Sequence, residues 1–186
     1  RMKFQKNIFL FPASLFVIAM ALSLLNAPSL SRALQVFVFT LFVMAVAFML
    51  PNIITTKKQL ETAIKVLFVS AFAVGLFGLF QFAGDVMGLP QSITGLREQY
   101  TKDVFGFPRI QSTALEPLYF ANYLLIPIAL ALAFYLQRLY VVKRPIVIGL
   151  SALLLLNLIL TLSRGGFVGL AGVIAVLVIY FFKRVF

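Results

Sequence analysis

The chain has no cysteine and no histidine, and only five of its 186 residues are acidic. Without cysteine there are no disulfides and no thiolate chemistry, and the redox compartment leaves no trace in the sequence. Without histidine the commonest neutral-pH proton carrier and metal ligand is missing. Charge of either sign is scarce at 11%, whereas hydrophobic residues reach 62%. A soluble domain of this length has too little interior to hide so much apolar surface. Lipid is therefore the expected solvent. The net charge of +11 does not indicate nucleic acid, because the basic residues fall in short clusters between apolar runs.

Six apolar runs are long enough for membrane helices: Ile8–Leu25, Ala33–Leu50, Ala63–Phe82, Leu118–Leu136, Pro145–Leu162 and Gly165–Phe182. Each is near the roughly 18 or more residues that cross a hydrocarbon core. They are too uniformly apolar for barrel strands, and helices satisfy their own backbone groups. The fold class is therefore all-α, one polytopic helical bundle over 1–186. The first run follows Arg1, Lys3 and Lys6 like a signal peptide. It lacks a small-residue cleavage site, and further spans follow, so it reads as an uncleaved first helix. Asn26-Ala27-Pro28 and Pro51-Asn52 punctuate the first two runs, Pro145 suits a first helical turn, and Pro12 and Pro127 are expected to kink their helices.

Basic residues set the orientation. Arg1, Lys3, Lys6, Lys57, Lys58, Lys65, Arg138, Lys143, Arg144, Lys183 and Arg184 fall on one side of the six runs. Arg32, Arg97, Lys102, Arg109 and Arg164 fall on the other, with the acids Asp85, Glu98, Asp103 and Glu116. The richer side is expected to be cytoplasmic, with both termini there.

One connection is long, from about Ala83 to Pro117 on the external side. Loops of that length are functional or disordered. Leu89, Ile93, Phe105, Phe107 and Ile110 argue for order. Gln91–Tyr100 suits a short interfacial helix, and a plain packed cap over the bundle is the simpler alternative. Thr113 and Glu116 have capping-box spacing, which would make Thr113 an N-cap. Tyr119 and Tyr123 read as interfacial anchors; Tyr119 and Asn122 share a helix face that should turn to the bundle or a wet cavity.

The last two runs are joined by almost nothing: Ser163-Arg164-Gly165-Gly166 must turn the chain near the outer face, and glycine permits the angles. Arg164 at that boundary either snorkels to lipid phosphates or clamps an anion with its planar fork of donors. Asn157, Thr161 and Ser163 add polar groups, and an intramembrane Asn needs a partner. Gly165, Gly169 and Gly172 form a small-residue stripe for close helix contact, as do Gly75 and Gly78. No nucleotide-binding glycine motif is present.

Two stretches carry a resemblance. Leu160-Thr-Leu-Ser-Arg-Gly-Gly-Phe-Val-Gly-Leu is similar to the T-x-S-R-G segment of the O-antigen ligase and polymerase superfamily. Arg109 to Tyr123 resembles the segment these proteins carry upstream, an Arg before a Pro-containing turn into a helix. The resemblance covers roughly the second half of the chain. It implies a glycosyltransferase on the outer face of the bacterial inner membrane. Such an enzyme moves a glycan from a polyprenyl-pyrophosphate carrier onto a lipid or glycan acceptor, with no cofactor, metal or nucleic acid. It implies catalytic roles for Arg164 and Arg109, with Ser163, Tyr119, Asn122 and Asn157 lining the substrate site. The family's usual external-loop His is missing, which leaves Glu116, or Asp103, as the base. Family members continue through another loop and more helices, so the chain reads as a portion of such an enzyme. The alternative is a non-catalytic membrane subunit or lipid-binding scaffold.

Overall fold

A computed structural model describes residues 10–97, 106–138 and 141–185, with side chains up to Phe181. Among these residues the regular structure is helical and there is no strand. The helices are α1 (Leu10–Ser23), α2 (Leu30–Ile53), α3 (Lys57–Val86), α4 (Gln91–Thr94), α5 (Pro117–Gln137), α6 (Arg144–Leu160) and α7 (Arg164–Val185), with a 3₁₀ turn at Leu24–Asn26. All six apolar runs are thus helical. Four of them, α2, α3, α5 and α7, are long and apolar enough to cross a membrane. Among the described residues α1 and α6 are shorter apolar helices, α6 having 17 residues.

The chain forms two compact units, Arg1–Leu60 and Glu61–Phe186. In the first, α1 and α2 are joined through the 3₁₀ turn and Ala27-Pro28-Ser29. The second helix does not stop at Pro51 as expected but runs on to Ile53. Proline in a last turn leaves one carbonyl unpaired, and there the Asn52 side chain adds a bond of its own, its Nδ2 donating to Phe48 O at 2.9 Å.

The second unit is built around α5, which packs against both α6 and α7. Its core comes from Phe68 and Ala71 of α3, Ile110 of the long connection, Phe120, Leu124, Ile128 and Ala131 of α5, and Val147, Leu150, Leu154 and Leu158 of α6. The α6 contributions recur at three- and four-residue spacing, one stripe of a helix. Pro127 lies buried within α5, which continues through it to Gln137.

Glycine sets how closely these helices approach. A Cβ on Gly75 would meet Leu153 at 3.2 Å, and one on Gly78 would overlap Asn157 Oδ1, so α3 lies against α6 where it has no side chain. On α7, a Cβ on Gly165 would meet Leu118 Cδ1 at 2.8 Å, one on Gly166 would meet Ala121 Cβ at 2.7 Å, and one on Gly169 would overlap Leu125. Gly172 has nothing within 4 Å. The expected stripe of Gly165, Gly169 and Gly172 is therefore corrected: Gly166 takes the place of Gly172.

Two expectations for the long connection also change. The interfacial helix is only α4, Gln91–Thr94, stopped by Gly95 at φ 68°, a left-handed conformation that favours glycine. Glu98 to Tyr100 lie outside the described residues, as do Lys102 and Asp103. Thr113 is not an N-cap: α5 starts at Pro117 with Glu116 in the cap position, and the Glu116 side chain makes no capping bond. Proline pre-sets the dihedral of a first helical residue and disfavours a helical residue before it. That moves the start of α5 past the segment the capping box would need.

Candidate functional site

The polar core of the second unit lies where the long connection returns to the bundle. Gln81 on α3 is fully buried, the one polar side chain among the buried residues of that helix. Its Oε1 accepts hydrogen bonds from the amides of Ser112 at 2.7 Å and Gln111 at 3.3 Å. Its Nε2 donates to Ser112 O at 3.1 Å. One side-chain amide thus answers three backbone groups of the connection, as a neighbouring peptide would in a sheet. Ser112 has φ 50°, and its hydroxyl donates to Val74 O at 2.7 Å. The Gln111 side chain donates to Gly95 O at 3.3 Å, tying the same stretch to the end of α4.

Residues 109–112 form a strap between α3 and the end of α6. On the α6 side the Ile110 amide donates to Leu160 O at 3.2 Å, and Arg109 Nε donates to Thr161 O, also at 3.2 Å. The last carbonyls of a helix have no partner of their own and carry partial negative charge. An amide and a guanidinium here take up two of them. That bond uses one of the five guanidinium donors. Arg109 itself is half-buried.

The Thr161–Ser163 turn follows directly. Thr161 is fully buried; its Oγ1 donates to Leu158 O at 2.7 Å and accepts from the Ser163 amide at 3.3 Å. Leu162 has φ 48°, which reverses the chain. Ser163, 3% exposed, then caps α7: its Oγ accepts from the Gly166 amide at 3.3 Å and its carbonyl from Phe167 at 3.1 Å. A serine N-cap accounts for this residue by helix chemistry. Arg164 is the first residue of α7 and its side chain is exposed. An anion at this end would meet the positive end of the α7 dipole as well as cationic side chains.

The other candidates are distributed differently. Glu116, half-buried, closes the connection at the start of α5. Tyr119 is 53% exposed and Asn122 is exposed, on the side of α5 away from buried Phe120, Ala121 and Leu124. Asn157 is fully buried and faces α3, its Nδ2 bonded to its own helix at Leu153 O and its Oδ1 against Gly78 without a hydrogen-bond partner. Hydrogen bonds therefore join Arg109 to the turn that carries Ser163 and Arg164. Tyr119 and Asn122 have no part in that network. The sequence reading missed Gln81, Gln111 and Ser112. A lone glutamine in an apolar run was the one signal available for Gln81, since an amide in lipid must find partners. Comparison with known protein families, with curated proteins and with solved structures finds no match.

Proposed function

We propose that the protein is a membrane glycosyltransferase of the O-antigen ligase and polymerase type, acting on a polyprenyl-pyrophosphate-linked glycan at the external face of the bacterial inner membrane. The observation that carries this reading is the bond from Arg109 Nε to Thr161 O. It ties together the two stretches that separately resemble the family's motifs, which lie 52 residues apart in the chain.

In this reading the chain crosses the membrane six times, with both ends in the cytoplasm, as the unequal split of basic residues favours. A helix of 17 residues such as α6 is about 25 Å long, and locally thinned lipid or flanking cations can make up the difference. Arg144 suits that task at the cytoplasmic end of α6. Its guanidinium lies 4.8 Å from the Tyr135 ring centroid and donates to the Tyr135 hydroxyl at 3.1 Å.

The chemistry divides among named groups. The acceptor hydroxyl gives its proton to the Glu116 carboxylate, and its oxygen attacks the anomeric carbon of the donor. The carbon–oxygen bond to pyrophosphate breaks, and the leaving group departs with the electron pair. Arg164, Arg109 and the start of α7 stabilise the charge that develops on it. Ser163 orders the first turn of α7 and so fixes where Arg164 begins.

Carrier binding tests the reading. In nanodiscs, the protein should bind polyprenyl pyrophosphate more tightly than phosphatidylglycerol, and Arg164→Ala should weaken that binding about tenfold or more, the loss expected for one charged hydrogen-bonded contact. Equal affinity for the two lipids, unchanged in Arg164→Ala, would favour a lipid-binding scaffold with a snorkelling arginine.

A further inference from the structure

We propose that Gln81 is a positioning residue: its side-chain amide latches the 109–112 strap to α3 and so holds the Arg109 guanidinium on the turn before α7. The latch is read from hydrogen bonds alone; the purpose given to Arg109 rests on the transferase reading.

Gln81 has zero exposure on a helix whose other buried residues are Phe68, Ala71, Gly75, Gly78 and Gly84. An amide at such a place is unfavourable unless both its oxygen and its nitrogen are bonded. Here both are, and every partner belongs to the strap: the Gln111 and Ser112 amides and the Ser112 carbonyl. Filling space does not explain this, since Leu or Met would fill the same volume in an apolar helix without needing partners. The strap does not have an intrinsically favoured backbone either. Ser112 sits at φ 50°, and a non-glycine residue persists there only where its surroundings fix it. Gln81 supplies three of those constraints and Val74 O a fourth, through the Ser112 hydroxyl.

Arg109 lies three positions before Ser112, on the opposite edge of the strap. Its bond to Thr161 O and the Ile110 bond to Leu160 O require residues 109 and 110 to stay level with the last turn of α6. The chain beyond Ile110 is fixed by Gln81. Releasing that end leaves the strap held by two bonds at the end of α6 and by one each to Gly95 and Val74. A guanidinium that must meet a developing charge gains from being held beforehand, and Gln81 is the buried side chain that does the holding.

Hydrogen exchange of the full protein in nanodiscs tests the latch. The peptide covering 109–113 should be protected in the wild type. Gln81→Met keeps the length of the side chain and removes its hydrogen bonds; exchange in this peptide should rise tenfold or more, with α3, α5 and α6 unchanged. Gln81→Leu should behave alike and guards against an effect peculiar to methionine. Unchanged exchange in both variants, or a rise spread evenly through α3, α5 and α6, would overturn the proposal. Transfer activity supplies the second arm. If Gln81 acts through Arg109, the double variant Gln81→Met with Arg109→Ala should transfer no more slowly than Arg109→Ala alone, because the two losses share one cause. Additive losses would overturn the positioning role. A strap that loosens in Gln81→Met while that variant and Arg109→Ala both transfer normally would leave the latch standing and remove the transferase role of Arg109.

Discussion

At the scale of single residues, the second unit relies on places where a side chain is missing. Gly166 of α7 faces the Cβ of Ala121, an atom with no torsion to move it aside. Gly172, two turns further on, faces nothing within 4 Å. Gly166→Ala should force α5 and α7 apart at a cost of about 1–3 kcal/mol, the range for overpacking a close contact. Gly172→Ala should be neutral or stabilising by up to about 1 kcal/mol, since alanine favours helix. Thermal unfolding in detergent separates the two, and equal losses would mean that α7 does not meet α5 through its first turns. The sequence showed that small residues recur on α7. It could not show which of them face α5, because neighbouring glycines offer several stripes and only the partner selects one. Gln81 was hidden for the same reason: its partners lie about thirty residues away, on a strap with no periodicity.

At the scale of elements, length and apolar periodicity carry through well: every expected apolar run is helical over most of its described residues, and the largest departure is α3, which starts six residues before Ala63. The errors lie in the caps. A capping box is present, but it opens α3 and not α5. Gln59 Oε1 accepts from the Thr55 and Thr56 amides, each at 3.0 Å, while Thr56 Oγ1 accepts from the Gln59 amide at 3.2 Å. Thr56 and Gln59 have the same three-residue spacing as Thr113 and Glu116. What distinguishes the two is Pro117, which claims the first helical position for itself. Thr56→Ala should therefore destabilise the start of α3 by about 1 kcal/mol, seen as faster exchange in its first turn. Thr113, exposed and uninvolved in the cap, should tolerate alanine within about 0.5 kcal/mol. Equal effects at the two threonines would contradict this assignment of the caps.

At the scale of the whole molecule, composition and the length of the apolar runs pointed to an all-helical membrane protein, and among the described residues four helices are long and apolar enough to cross a bilayer. Which side of the membrane each connection faces rests on the distribution of Lys and Arg. Since these 186 residues include no cysteine, single introduced cysteines give a clean reading. Arg97→Cys and Lys102→Cys should react with an impermeant thiol reagent added outside intact cells, and Lys57→Cys should react only after lysis. The reverse pattern would invert the topology and put Arg109 and Arg164 on the cytoplasmic face. The two stretches that resemble the ligase motifs were legible as separate segments. So was the expectation that Arg109 lies near the Ser163-Arg164 turn, but the bonds that hold it there were not, because they run to backbone carbonyls at the end of α6, groups that every sequence possesses and none advertises.

The central claim is that Arg164 stabilises a departing pyrophosphate, and glycan transfer from a purified carrier-linked donor tests it most directly. A point charge lacks the paired donors of a guanidinium, so on the transferase reading Arg164→Lys should lose much of the activity. Arg164→Ala should lose nearly all of it, on the order of a hundredfold or more in rate, the usual consequence of removing one well-placed donor from a water-poor site. Expression and thermal stability should match the wild type, because the side chain is exposed. Near-normal transfer by a well-folded Arg164→Ala would contradict the claim and leave Arg164 as a boundary residue reaching for lipid phosphate.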